Sequence, residues 1–215
     1  SLVSAVYEAG RVQQVNDLYG PTEATTYSTW TRREAGERAT IGRPISNTEV
    51  YILDRWQQPV AVGVRGEIYI GGAGVAQSYL NQPEQTADRF IANPFSNGAA
   101  TRLYKTGDRA RYLADGNVEF LGRGDDQVKI RGYRVELGEI EATLSRHDGV
   151  RKVVVLAREV GEGNKQLVAY VVPAIDQAPS ISELRSYLRE LVPEYMVPPA
   201  FVFLKDLPLT RNGKV

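Results

Sequence analysis

Tyr19-Gly20-Pro21-Thr22-Glu23 gathers an aromatic face, a tight turn, a hydroxyl and a carboxylate into five residues. Those parts suit a nucleotide: a phenol ring can stack on a base, a hydroxyl can bond a phosphate oxygen, and a carboxylate can hold a magnesium ion bridging phosphates. Taken alone, a Gly-Pro turn followed by Thr and Glu reads more commonly as the start of a helix. In Tyr104-Lys105-Thr106-Gly107-Asp108, an Asp after a Gly turn can accept hydrogen bonds from both hydroxyls of a ribose, or can simply cap an Asx turn. Gly122-Arg123-Gly124-Asp125 offers a guanidinium that could reach phosphate or ribose, although as a charged loop it is unremarkable. Lys214, in the terminal turn Asn212-Gly213-Lys214-Val215, reads by itself as a solvated charge. His147, the single His, sits beside Asp148-Gly149 and reads as a surface or helix-terminal residue.

Other chemistries are excluded. There is no Gly-rich loop ending in Lys and Ser or Thr, and no G-x-G-x-x-G after a strand. The absence of Cys removes disulfides, thiolate zinc sites and thiol nucleophiles together, and makes cytoplasm the expected location. Twenty-six Lys and Arg balance twenty-six Asp and Glu, so neither nucleic acid nor a membrane surface is an expected partner. No basic segment followed by an apolar one opens the chain, and no run approaches bilayer length. The start without Met and the end inside a loop-like stretch lead us to expect a piece of a longer chain.

The elements that must position these residues fall into two groups. With 42% hydrophobic residues, 215 positions can build one large domain or two small ones. From Thr48 to Gly124, short runs such as Glu49 to Leu53 and Glu67 to Ile70, with turns at Gly71-Gly72-Ala73-Gly74 and Asp115-Gly116-Asn117, predict a small barrel or a folded antiparallel sheet. After Asp126 the pattern becomes a hairpin over Gln127 to Val135 and a helix with Leu137, Ile140 and Leu144 on one face. Strands at Val153 to Leu156 and Leu167 to Val172, a helix from Ser180 and a strand at Ala200 to Leu204 complete it. Ser180-Ile181-Ser182-Glu183 has capping-box spacing, and Leu184, Leu188 and Leu191 are expected to be buried as one stripe. The fold class is therefore mixed α+β: a β-rich, barrel-like portion over residues 1–124, a hinge, and a small α+β unit over residues 125–215.

The joint order of these stretches resembles the adenylate-forming enzymes, specifically the carboxy-terminal part of nonribosomal peptide synthetase adenylation domains. The resemblance also takes in Gly66 to Tyr79, the run Gln127-Val128-Lys129-Ile130-Arg131-Gly132-Tyr133-Arg134-Val135-Glu136-Leu137-Gly138-Glu139-Ile140-Glu141, Leu191 to Pro198, and Leu207 to Val215. It implies that Tyr19, with Gly20 in its turn, stacks on adenine, with Phe120 as the other side of the slot. Thr22 would contact the α-phosphate region and Glu23 would hold magnesium. Asp108 would take the ribose hydroxyls, Arg123 would assist at ribose or phosphate, and Leu18, Thr26 and Tyr27 would line the amino-acid pocket. Asp125 would be the hinge of a mobile small unit, and Lys214 would bridge the substrate carboxylate and the α-phosphate. The implied reaction joins an amino acid to ATP as aminoacyl-AMP, then passes it to the phosphopantetheine thiol of a peptidyl carrier domain.

Departures are specific. Asp17 stands where the family usually has Asn, losing an amide donor; Ser78 replaces a common Gly before Tyr79; Phe120 stands where Tyr is common. The family's phosphate loop and amino-group-binding Asp are not in this sequence, so we expect little activity from this piece without the upstream remainder of the core. An acyl- or aryl-CoA ligase of the same superfamily and a non-catalytic carrier-docking module are the alternative readings; Gln127 to Glu141 and Leu191 to Pro198 favour the peptide-synthetase branch over the first.

Overall fold

The computed structural model describes residues 2–96, 101–124, 127–130, 132–160, 165–174 and 178–208. The chain divides into two units, Ser1–Asp125 and Asp126–Val215. In the first, α1 (Leu2–Glu8) precedes β1 (Val15–Tyr19), β2 (Thr29–Arg33) and β3 (Arg43–Pro44), a three-stranded antiparallel sheet in that order. Between β1 and β2 the Gly-Pro turn starts only a single 3-10 turn, Thr22–Ala24.

The second sheet of this unit comprises β4 (Thr48–Leu53), β5 (Gly66–Gly72), β6 (Phe90–Ala92), β7 (Arg102–Tyr112) and β8 (Val118–Arg123), with α2 (Pro83–Arg89) before β6. The order is β4-β5-β7-β6, with β8 also on β7, and every pairing is antiparallel. Of the two expected forms, this is the folded open sheet, because among the described residues it does not close. Period-two alternation explains its core: Val50, Ile52, Ile68 and Ile70 pack on one face with Ala110 and Val118, whereas Leu53, Tyr69 and Leu103 pack on the other. Ile68 and Ile70 are fully buried, each contributing about 1.5–3 kcal/mol.

β7 organises this unit. Its first half pairs with β6 (Tyr104 opposite Phe90) and its second half with β8 (Ala110 opposite Phe120). The register slips between Asp108 and Ala110 on one side and between Glu67 and Tyr69 on the other, so the strand bends at Gly107, whose φ of +78° favours glycine. The bend re-aims Asp108.

In the second unit, the hairpin of β9 (Gln127–Ile130) and β10 (Tyr133–Glu136) leads into α3 (Leu137–Leu144). β11 (Val150–Glu159) and β12 (Lys165–Pro173) are antiparallel. α4 (Ile181–Leu191) and a 3-10 turn (Glu194–Met196) carry the chain to β13 (Ala200–Phe203), parallel to β12. Leu137, Ile140 and Leu144 pack with Val155, Leu167, Leu184 and Leu188 in one core. The capping box forms: the Glu183 N–H donates to Ser180 Oγ at 3.2 Å and the Ser180 N–H to Glu183 Oε2 at 2.7 Å. His147 has the helix-terminal role read for it, its Nδ1 accepting from the Gly149 N–H at 3.1 Å and its ring edge-on to Tyr187 at 5.0 Å.

Two expectations need correction. Leu191 is 56% exposed, because α4 ends there and the chain turns extended, so Val192 takes the core position instead. Gly71 and Gly72 belong to β5, and the turn begins only after them. Among the described residues no helix is long and apolar enough to cross a membrane.

Candidate active site

Tyr19 closes β1, and its carbonyl accepts the Ser28 N–H at 2.7 Å, so residues 20–27 form a loop pinched at its base. At Gly20 a Cβ would lie 2.6 Å from the Thr26 carbonyl oxygen and 2.7 Å from the Ser28 nitrogen, which leaves room for no side chain. Further round the loop Thr25 and Thr26 hold φ of 58° and 72°, a costly conformation for β-branched residues. Bonds to the Gly72–Ser78 segment hold it there: Thr25 Oγ1 donates to the Gly74 carbonyl at 2.7 Å, and the Ala76 N–H to the Glu23 carbonyl at 2.8 Å.

The bend in β7 places Asp108 under this loop. The Tyr19 hydroxyl donates to Asp108 Oδ2, and Arg123 Nη1 donates to Oδ1 at 2.8 Å while Nη2 reaches the Thr106 carbonyl at 3.0 Å. Thr106 Oγ1 accepts the Asp108 N–H at 3.0 Å and donates to the Ile68 carbonyl at 2.8 Å, tying the bend to β5. Asp108 is only 7% exposed. Burial, reinforced by the charge of Asp108, raises the Tyr19 phenol far above its ordinary value, so it stays a neutral donor at physiological pH. Phe120 lies 6.1 Å from Tyr19 with planes 43° apart. A base between them needs parallel rings about 7 Å apart, twice a carbon contact distance, so the 41% exposed Phe120 must turn to admit one.

Glu23 belongs to a second cluster. Its Oε1 accepts the hydroxyls of Tyr79 at 2.6 Å and Tyr104 at 2.8 Å. Burial, then the bond to Glu23, raises the Tyr79 phenol, which keeps it protonated and donating. Among the described residues no group of three or more His, Cys, Asp or Glu could enclose a metal. A magnesium ion here would take one protein carboxylate and complete its shell with phosphate oxygens, a donor set normal for that ion, and Glu23 fits that part.

The family pattern described as "AMP-binding enzyme" matches residues 1–80, and that described as "AMP-binding enzyme C-terminal domain" matches residues 139–214. Together they take in more than two thirds of the chain. This chain belongs to the AMP-binding enzymes. One component of the linear gramicidin synthase of Brevibacillus parabrevis is 56% identical to it over 212 residues, 98% of this chain but 3% of that protein's length. The crystal structure of IdnL1 aligns with a TM-score of 0.82 at 28% identity, over 96% of this chain and 43% of that one. Holo-PA1221, a nonribosomal peptide synthetase protein containing adenylation and PCP domains, aligns with a TM-score of 0.80 at 36% identity, over 98% and 36%.

Within this AMP-binding enzyme, Tyr19, Asp108, Phe120 and Arg123 come together from three strands. Thr22 is exposed at the head of the 3-10 turn. Leu18 faces away from Tyr19 by strand alternation, opposite Trp30, and is 44% exposed; Thr26 and Tyr27 are also exposed. Lys214 and Asp125 lie outside the described residues. Sequence reasoning missed the roles of Tyr79 and Tyr104, which sit 56 and 81 residues from Glu23. It also missed Arg33, whose Nη1 donates to Asp17 Oδ2 at 2.7 Å. The departure at Asp17 thus comes with its own cation.

Proposed function

We propose that the longer protein containing this chain activates an amino acid with ATP and passes it to the phosphopantetheine thiol of a peptidyl carrier domain, in nonribosomal peptide synthesis. The observation that carries this reading is the convergence on Asp108: a neutral phenol and a guanidinium orient one buried carboxylate beside two aromatic rings, which is how a ribose and its base are gripped. In the first step a substrate carboxylate oxygen attacks the α-phosphorus of ATP; the new P–O bond forms as the bond to pyrophosphate breaks, and pyrophosphate leaves with the electron pair. No proton has to be moved, so the site needs positioning and charge stabilisation instead of a general base.

Tyr19 and Asp108 hold the nucleoside, with Phe120 turned onto the base. Arg123 both orients Asp108 and offers charge towards the ribose or phosphate. Thr22, exposed at the loop tip, donates to the α-phosphate region. Glu23, steadied by Tyr79 and Tyr104, would hold a magnesium ion, which would supply charge to offset the phosphates. Leu18, Thr26 and Tyr27 line the amino-acid side of the site. Lys214 touches the substrate carboxylate and the α-phosphate together, and Asp125 lets the small unit change position between the two steps.

Amino-acid-dependent pyrophosphate exchange by the full-length protein, across a panel of amino acids, tests this reading. Exchange with one or a few amino acids is expected, falling about a hundred- to a thousandfold in Lys214→Ala, the loss typical of one transition-state donor. Exchange that ignores the amino acid, or is unchanged in Lys214→Ala, would remove the assignment.

A further inference from the structure

Thr25, Thr26 and Tyr27 are exposed and bulge between two buried residues, Ala24 and Ser28. Positive φ at both threonines turns the bulge sharply, and such strain persists where neighbouring bonds over-determine it. Backbone bonds account for part of the hold: the Thr26 N–H reaches the Pro21 carbonyl at 3.2 Å and the Tyr27 N–H reaches the Thr25 carbonyl at 2.9 Å. Among the described residues the strained pair makes one side-chain hydrogen bond, from Thr25 Oγ1 to the Gly74 carbonyl at 2.7 Å. Gly or Asn would take this backbone at less cost; what Thr supplies is the hydroxyl.

Its acceptor is well seated. Before Gly74, the Ala73 N–H donates to the Asn47 carbonyl at 3.0 Å; after it, Val75 packs against the core that buries Ala24. A Cβ at Gly74 would lie 3.2 Å from the Ala24 carbonyl oxygen, so the two segments run close together. The half of the loop that carries Thr22 and Glu23 has its own bonds. Its 3-10 turn closes through the Ala24 N–H on the Pro21 carbonyl and the Thr25 N–H on the Thr22 carbonyl, both at 3.1 Å, and the Glu23 carboxylate is held by Tyr79 and Tyr104. The Thr25 hydroxyl therefore bears on the other half, the one that presents Thr26 and Tyr27.

We infer that Thr25 is a positioning residue for amino-acid selection: its bond to Gly74 fixes the backbone from which Thr26 and Tyr27 project, and it does not itself touch the amino acid. The inference rests on the reading under Proposed function, in which Thr26 and Tyr27 line the amino-acid side of the site. One neutral hydrogen bond favours the bent loop by about two- to tenfold, and that is the size of effect expected on amino-acid affinity and discrimination.

The test uses the full-length protein and the variants Thr25→Ala, Thr25→Ser and Thr25→Gly. Pyrophosphate exchange gives KM for ATP and for each amino acid of the panel, and amide hydrogen exchange over residues 24–28 reads the loop directly. In Thr25→Ala, KM for the preferred amino acid rises about two- to tenfold, its lead over the next-best amino acid narrows by a similar factor, KM for ATP is unchanged, and loop amides exchange faster. Thr25→Ser keeps the hydroxyl and restores wild-type behaviour. Thr25→Gly takes the positive φ without strain and melts no lower than Thr25→Ala, yet shares its amino-acid defect, which a role in stability alone would not produce. Unchanged amino-acid KM and ranking in Thr25→Ala, an equal rise in KM for ATP, failure of Thr25→Ser to rescue, or wild-type selection in Thr25→Gly overturns the inference. Absence of amino-acid-dependent exchange in the wild type would instead sink the functional reading and the inference together.

Discussion

The groups around Asp108 and those proposed for the amino-acid pocket flank the same loop, and they are held in opposite ways. Asp108 is buried, with Tyr19 and Arg123 on separate oxygens and its own N–H fixed by Thr106. Leu18 and Tyr27 are 44% and 50% exposed, and Thr26 is fixed mainly through its strained backbone, whose N–H reaches the Pro21 carbonyl at 3.2 Å. The proposed nucleotide side is therefore set by bonds within the chain, so a side chain removed there should disturb folding and binding together. On the pocket side the backbone is set and the side chains are available, so substitutions there should alter which substrate is accepted and leave the fold alone.

The largest effect separating the two sides is expected from Asp108→Ala. It removes the carboxylate that accepts from Arg123 Nη1, a pair only 21% and 10% exposed, and should cost about 3 kcal/mol of stability in thermal or denaturant unfolding. In pyrophosphate exchange it should also cost about a hundredfold in kcat/KM for ATP, the worth of two hydrogen bonds to a charged acceptor. A smaller effect is expected from Tyr19→Phe, which keeps the ring and removes one donor to Asp108: a loss of about 1.5 kcal/mol in stability and a rise of less than about tenfold in KM for ATP. The smallest effect on stability is expected from Tyr27→Ala, within about 0.5 kcal/mol of wild type, accompanied by a changed ranking of amino acids in the exchange panel. Substantial unfolding in Tyr27→Ala, or none in Asp108→Ala, would erase the contrast.

Local signals in the sequence carried much of the fold. The capping box at Ser180 and the Leu137, Ile140, Leu144 stripe are short-range patterns, and each forms as read. α2 escaped because its helix buries no side chain and so leaves no apolar period; its marks are confined to Pro83 and Glu84 in the first turn and Arg89 in the last. Leu191 misled because a stripe continues in sequence past the point where the helix stops in space. Within the candidate site, Tyr19, Asp108 and Arg123 could be named from ordered motifs, but nothing local ties Tyr19 to a carboxylate 89 residues away. The partners of Glu23 were invisible for the same reason: Tyr79 and Tyr104 meet it only because β7 is the central strand that brings their segments together. Asp17 looked like a lost donor until Arg33, diagonally across from it on β2, was placed.

The measurement that bears most directly on the central claim is calorimetric binding of AMP, and of a non-hydrolysable aminoacyl-adenylate, to the full-length protein and to folded Asp108→Ala and Tyr27→Ala variants. Asp108→Ala is expected to weaken both ligands by about tenfold or more, whereas Tyr27→Ala leaves AMP unaffected and alters only the aminoacyl-adenylate. Wild-type affinity for AMP in a folded Asp108→Ala protein would contradict a nucleotide site built on Tyr19, Asp108 and Arg123.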